Sequence, residues 1–162
     1  MTTRLCFVCL GNICRSPTAE GVFRHLLTQR DDSAPYAFES AGTAAHHTGE
    51  APDHRATETA ARRGIRLAGA AAQFTAEDFA RFDWVVAMDG ANKRDLLSRA
   101  TSEQDAAKVV MLRDWDPHSG GPHDLDVPDP YYGGASGFDD VLDICLRSCA
   151  ALLDDLEARS RA

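Results

Sequence analysis

The sequence predicts an α/β fold: a doubly wound, four-stranded parallel sheet with helices on both faces. Two observations predict it. Short apolar runs alternate along the chain with stretches of helical periodicity, and the C-terminal stretch repeats its apolar residues at three- and four-residue steps, as a helix packed on a sheet does.

The first strand is the apolar run Leu5–Cys9. Pro17, suited to a first helical position, opens a helix near Ser16 whose buried face is Ala19, Val22, Phe23, Leu26 and Leu27. A shorter run, Ala37–Ser40, supplies the second strand, and helical patterns follow at Asp53 to Arg63 and Glu77 to Phe82. Trp84–Met88 is the third strand, Asn92 to Arg99 a further helix, and Val109–Leu112 the fourth strand. In the last helix Phe138, Val141, Leu142, Cys145, Cys149, Leu152 and Leu156 take one side, while Asp139, Asp140, Asp143, Asp154 and Asp155 take the other. The irregular segment is Arg113–Gly134, rich in proline and glycine; a loop that long in a compact chain is more often functional than idle. In doubly wound sheets, ligands bind beyond the carboxyl ends of the strands.

A chain of 162 residues suits a single domain, here 1–162, that buries about two thirds of its unfolded surface. Seventeen Lys and Arg against 25 Asp and Glu leave a net charge of −8, which opposes nonspecific attraction to nucleic acid and to anionic membranes. An anionic ligand would therefore need a small local positive site. The apolar run before Gly11 is too short for a signal-peptide core, and no run approaches a membrane span. A cytoplasmic location is expected, with export without a signal peptide left open. Five cysteines, odd in number and unevenly spread, suggest neither a disulfide framework nor structural zinc. His118, His123, Asp116 and Asp124 have no recognised metal-site spacing, so neither metal nor cofactor is expected. Cys145 and Cys149 read as core residues, and Arg62, Arg63 and Arg66 as a solvated face.

The densest chemistry is "CLGNICRS" at residues 9–16. A strand, a short loop and a helix beginning near Ser16 would gather backbone amides around a concave anion site at the positive end of the helix. Cys9 would sit at its base, where the amides and the Arg15 guanidinium favour thiolate over thiol. Arg15 can hold two oxygens of a phosphate in its planar fork. Gly11 would permit positive φ and Asn12 tolerates it, while the Asn12 side chain can tie the loop down. Ser16 could donate to the sulfur. Small apolar roles for Cys6, Cys9 and Cys14 around a buried strand are the plainer alternative. Against it stands the second motif, "DPYY": Asp129 could protonate a leaving oxygen, with Tyr131 and Tyr132 as walls for a flat ring. A carboxylate facing a bound dianion and a thiolate would be kept protonated enough to act as the acid.

Together "CLGNICRSP", "SAGT" at 40–43, "GEAPDHRA" at 49–56, "AMDGANKRDLL" at 87–97 and "DPYYG" resemble the low-molecular-weight protein tyrosine phosphatase family. The resemblance implies a flavodoxin-like fold and hydrolysis of phosphotyrosine in proteins without a metal. It implies Cys9 as nucleophile, Arg15 as phosphate clamp and Asp129 as general acid. Asn12 and Ser40 would support the loop, Ser16 would assist the thiolate, and Leu10, Ile13, Tyr131 and Tyr132 would line the pocket. Cys14 would form a reversible disulfide with oxidised Cys9. A tyrosine kinase acting on Tyr131 and Tyr132 is a further expected partner, and a monomer the expected state. The chain departs from the family at His46, where relatives commonly have tryptophan, and at Gly69, where many have histidine. His46 is read either as a solvent-facing loop residue or as altering peptide preference. Thioredoxin-coupled arsenate reductases resemble the same scaffold but need more cysteines mid-chain, and none lies between Cys14 and Cys145. Phosphoarginine phosphatases carry threonine where Ile13 stands. A phosphotyrosine-binding module would need neither nucleophile nor acid.

Overall fold

The computed structural model describes residues 1–30, 34–134 and 136–162. Its sheet has four parallel strands, β1 (Thr3–Cys9), β2 (Tyr36–Gly42), β3 (Trp84–Ala87) and β4 (Val109–Met111), in the order β2-β1-β3-β4. β1 is central, and Leu5 to Cys9 are all buried, so its pattern is continuous and not alternating. β2, at the edge, is half exposed along most of its length. That is why sequence periodicity captured only Ala37–Ser40 of a strand that runs from Tyr36 to Gly42.

The helices cover both faces, as the sequence predicts. Leu5, Phe7 and Cys9 point to a core shared with α1 (Arg15–Thr28), α2 (His54–Ala61) and α5 (Ser136–Ser160). Cys6 and Val8 point the other way, toward Phe74, Phe79, Phe82 and Leu96 of α3 (Gly90–Arg99). Cys6 and Cys9 are three residues apart, yet the strand's period of two sends them to opposite faces, which rules out a redox pair between them.

Several boundaries differ from expectation. α1 begins at Arg15, one residue before Ser16, which places both side chains on its first turn. Glu77 to Phe82 is not an α-helix: Ala76–Arg81 is a 3₁₀ segment that buries only Phe79, with Asp78 accepting the amide of Thr75 at 2.8 Å. α4 (Glu103–Ala107) buries no residue, so it left no apolar period to read. The fourth strand stops at Met111, because Leu112–Trp115 turns into a second 3₁₀ segment.

The winding reverses between β1 and β3. The chain leaves β1 for β2 on one side and later returns to β3 on the other, so the loops after β1 and β3 part at the carboxyl edge of the sheet and open a crevice there.

Candidate active site

β1 delivers Cys9 to that crevice, and residues 10–14 carry the chain directly into α1. The one non-glycine residue with positive φ among the described residues is Asn12, at 57°. Of the two residues the sequence allows positive φ, Asn12 takes it and Gly11 does not. Its lack of a side chain matters for space instead, since a Cβ there would lie 3.0 Å from Cδ2 of His47. The turn at Asn12 aims its amide at the Cys9 Sγ, 3.2 Å away, and Ser16 Oγ lies 3.1 Å from the same sulfur.

The Asn12 side chain anchors the loop. Its Nδ2 donates to Ser16 Oγ at 2.8 Å and to Ser40 Oγ at 3.0 Å, and its Oδ1 accepts the amide of Ala72 at 3.0 Å. The Ser16 hydroxyl, already accepting from Asn12, has its own proton free for the sulfur or for the Ala41 carbonyl at 3.3 Å. The loop carbonyls of Cys9, Leu10 and Ile13 accept the amides of Thr43, Ala44 and Asp53, leaving N–H groups for the concave side. Gly42 makes this approach possible, because a Cβ there would fall 2.7 Å from the Leu10 carbonyl oxygen.

Arg15 is 3 % exposed and gripped from behind. Its Nη1 donates to Asp89 Oδ2 at 2.5 Å and to the Val127 carbonyl at 3.0 Å, while Nη2 lies 3.5 Å from Asp129 Oδ2. Burial pulls its pKa down, but the nearby Cys9, Asp89 and Asp129 outweigh that and hold it above the usual arginine value. Asp89 also caps α3, accepting the amide of Asn92 at 2.7 Å through its other oxygen. One carboxylate therefore caps a helix and orients the guanidinium. The Asp129 carboxylate accepts the amide of Tyr131 at 3.0 Å.

These groups face one cleft, lined by Cys9, Leu10, Ile13, Cys14, Arg15, His46, Asp129, Tyr131 and Tyr132, together with Gly11 and His47. Asn12, Ser16 and Ser40 lie behind the loop and do not line it. Tyr131 is half-buried, whereas Tyr132 is exposed and meets the Tyr131 ring edge-on at 4.9 Å, so it forms the rim and not a wall. Burial, followed by the charges of Asp53, Cys9 and Asp129, pushes the Cys14 thiol up to about 12.

Four contributors went unassigned at the sequence level: Asp89, His47, Asp53 and Arg55. His47 packs at a tilt on Tyr131 at 6.1 Å, with Nδ1 held 2.8 Å from Glu50 Oε2. Asp53 caps α2 and gives its amide to the Ile13 carbonyl at 2.7 Å, which docks the helix on the loop. Arg55 donates to the Tyr131 carbonyl at 3.2 Å and lies over the Tyr131 and Phe138 rings, joining α2, the segment around Tyr131 and α5. The quoted segments "GEAPDHRA" and "AMDGANKRDLL" contained Asp53, Arg55 and Asp89 but no clue to their contacts. Among the described residues no group of His, Cys, Asp or Glu is arranged to hold a metal ion.

The described low molecular weight phosphotyrosine protein phosphatase family matches residues 4–162. A Streptomyces coelicolor protein named low molecular weight protein-tyrosine-phosphatase is 47 % identical over 153 residues, 94 % of this chain and 93 % of its own. The crystal structure of a protein tyrosine phosphatase from Entamoeba histolytica, with Hepes in its active site, is similar with a TM-score of 0.85 at 37 % identity, covering 98 % of this chain and 99 % of that one. A drosophila arginine phosphatase reaches the same TM-score of 0.85 at 29 % identity, covering 94 % and 97 %.

Proposed function

Because the chain belongs to the low molecular weight phosphotyrosine protein phosphatase family, we propose that it hydrolyses phosphotyrosine in proteins through a cysteinyl-phosphate on Cys9, without a metal ion. The observation that carries this reading is the convergence of Cys9, Arg15 and Asp129 on one cleft. The Cys9 sulfur attacks phosphorus, the S–P bond forms as the aryl P–O bond breaks, and Asp129 gives its proton to the departing phenolate oxygen. Asp129, now a carboxylate, takes a proton from the water that cleaves the S–P bond and releases phosphate. Arg15 and the loop amides supply the positive charge that the transferring group requires.

The fold is shared with an arginine phosphatase, so substrate choice rests on the cleft wall. Ile13 is buried and apolar and offers a guanidinium no hydroxyl, while the half-buried Tyr131 offers a ring face to an aromatic ester. Asp129→Ala should lower turnover of an aryl phosphate by about 10²-fold, assayed from pH 5 to 8 with chelator present. Rapid-quench intact mass should show one phosphoryl group on wild type and none on Cys9→Ser. A reduced wild type that spares aryl phosphates and cleaves phosphoarginine would replace this reading with the second.

We place the enzyme in the cytoplasm as a monomer, in one phosphatase domain spanning 1–162. All five cysteines are free, which suits a reducing compartment. Under peroxide, Cys9 becomes a sulfenic acid and the adjoining Cys14 thiol displaces water from it to form a disulfide. Peptide mass mapping after mild peroxide should recover a Cys9–Cys14 crosslink that thiol reductant removes, and its absence would refute the pairing. A tyrosine kinase is the proposed modifying partner at Tyr131 and Tyr132; Tyr132, at 92 % exposure, is the accessible hydroxyl.

A further inference from the structure

Asp129 sits at the end of a stretch, 116–129, that has neither helix nor strand. Among the described residues its side chain is restrained only by the Tyr131 amide and by the 3.5 Å approach of Arg15. Its position is therefore set by the backbone around it: Arg55 holds the Tyr131 carbonyl on the far side, and the stretch before Asp129 is held as well. Three residues there are tied down. Val127 donates its amide to the Met88 carbonyl at 2.7 Å, and its carbonyl accepts from Arg15 at 3.0 Å. Asp126 accepts the amide of Gly90 at 2.8 Å. Asp124 and the Asp126 carbonyl are held by one buried guanidinium, that of Arg113.

Arg113 spans the gap between the sheet edge and this stretch. Its Nη1 donates to Asp124 Oδ1 at 2.9 Å and to the Asp126 carbonyl at 3.0 Å, while Nε donates to Asp116 Oδ2 at 2.7 Å. The Asp116 side chain is fully buried and also receives Arg147 of α5 at 2.7 Å and the His118 amide at 2.8 Å. Burial raises the Asp116 pKa, but the donors from Arg147, His118 and Arg113 outweigh it and bring it down to about 2. The back of the Arg113 fork is thus locked to α5 through an ionised carboxylate, and its front grips the acid segment three residues before Asp129.

We propose that Arg113 is a positioning residue for proton transfer: by clamping Asp124 and the Asp126 carbonyl, it sets where Asp129 stands over the cleft. This rests on the reading of Asp129 as the acid. A guanidinium is required because its planar fork reaches three acceptors in fixed directions, which an ammonium on a flexible stem does not reproduce. An error of about 1 Å in a catalytic group is enough to cost as much as 10²-fold in rate.

The test is kcat/KM across aryl phosphates of rising leaving-group pKa, from nitrophenyl to phenyl, because this parameter reports the step in which the leaving oxygen needs a proton. Arg113→Ala should lose about tenfold on phenyl phosphate and under about twofold on the activated ester. Combined with Asp129→Ala it should add no further loss, and Arg113→Lys should fail to restore the wild-type slope. Asp124→Ala, which removes an exposed partner and leaves Asp116 fully paired, should move the slope the same way by a smaller factor. That variant decides the matter if Arg113→Ala does not fold. Equal losses on every ester, additivity with Asp129→Ala, or unchanged slopes in Arg113→Ala and Asp124→Ala would overturn the proposal. If wild type turns over and Cys9→Ser does not, such a result sinks this inference alone; if Cys9→Ser retains turnover, the phosphatase mechanism falls and takes the inference with it.

Discussion

Cys9→Ser should reduce aryl phosphate turnover by about 10⁴-fold or more, a loss on the scale seen when a catalytic nucleophile is removed. The substitution is nearly isosteric, so the fold and the phosphate loop should survive it. Both groups that touch the sulfur, the Asn12 amide and the Ser16 hydroxyl, can donate equally well to an oxygen. Neither can remove a proton from it. Among the described residues no general base stands against Cys9, and a serine hydroxyl is intrinsically far harder to ionise than a thiol, so the variant lacks an activated nucleophile. Binding of inorganic phosphate should persist in the variant, since the amides and Arg15 are untouched. Turnover within tenfold of wild type would mean that Cys9 is not the nucleophile. Loss of phosphate binding together with turnover would mean that the loop had collapsed.

Arg15→Ala should lower kcat/KM by about 10³-fold, near the upper end of the effect of removing one preorganised charge donor. Two losses combine. The transferring group loses its guanidinium, and Asp89 is left facing the cleft with its charge unanswered, where it would repel a phosphate dianion. The second loss also reaches stability: removing one partner of a buried ion pair costs on the order of 3 kcal/mol, readable by urea unfolding. Arg15→Lys separates the two. The ammonium can restore charge opposite Asp89 and so recover stability, but it cannot meet Asp89, the Val127 carbonyl and a phosphate together, so kcat/KM should stay low. Near-wild-type kcat/KM in Arg15→Lys would show that point charge suffices and that the fork has no special part.

What could be read in advance was local. The run Leu5–Cys9, the turn residues Gly11 and Asn12 and the helix periodicity after Pro17 all lie within residues 5–27, so strand, cradle and helix follow from neighbours in sequence. Even there, the sequence left positive φ open to both Gly11 and Asn12, because the choice depends on His47 packing against the first and on Ser40 and Ala72 bonding the second. α4 and the Ala76–Arg81 segment were missed or mistyped for a simpler reason: one buries nothing and the other a single phenylalanine, so neither has a period to detect.

By itself, then, the sequence determined the fold class and the loop that cradles Cys9, and it pointed to Asp129 as the proposed acid, since the loop and the acid motif are each written in a short span whose residues interact with their own neighbours. Only the tertiary structure decided that Asp89, 74 positions from Arg15, holds its guanidinium, and that Arg55, 76 positions from Tyr131, fastens the segment that follows Asp129. It also placed Val127 behind Arg15 and Arg113 beneath the stretch that carries Asp129. The physical reason is the strand order β2-β1-β3-β4: the winding reverses at β1 and β3, and loops remote in sequence converge at that edge, where the carboxylates of Asp89 and Asp129 meet the buried Arg15.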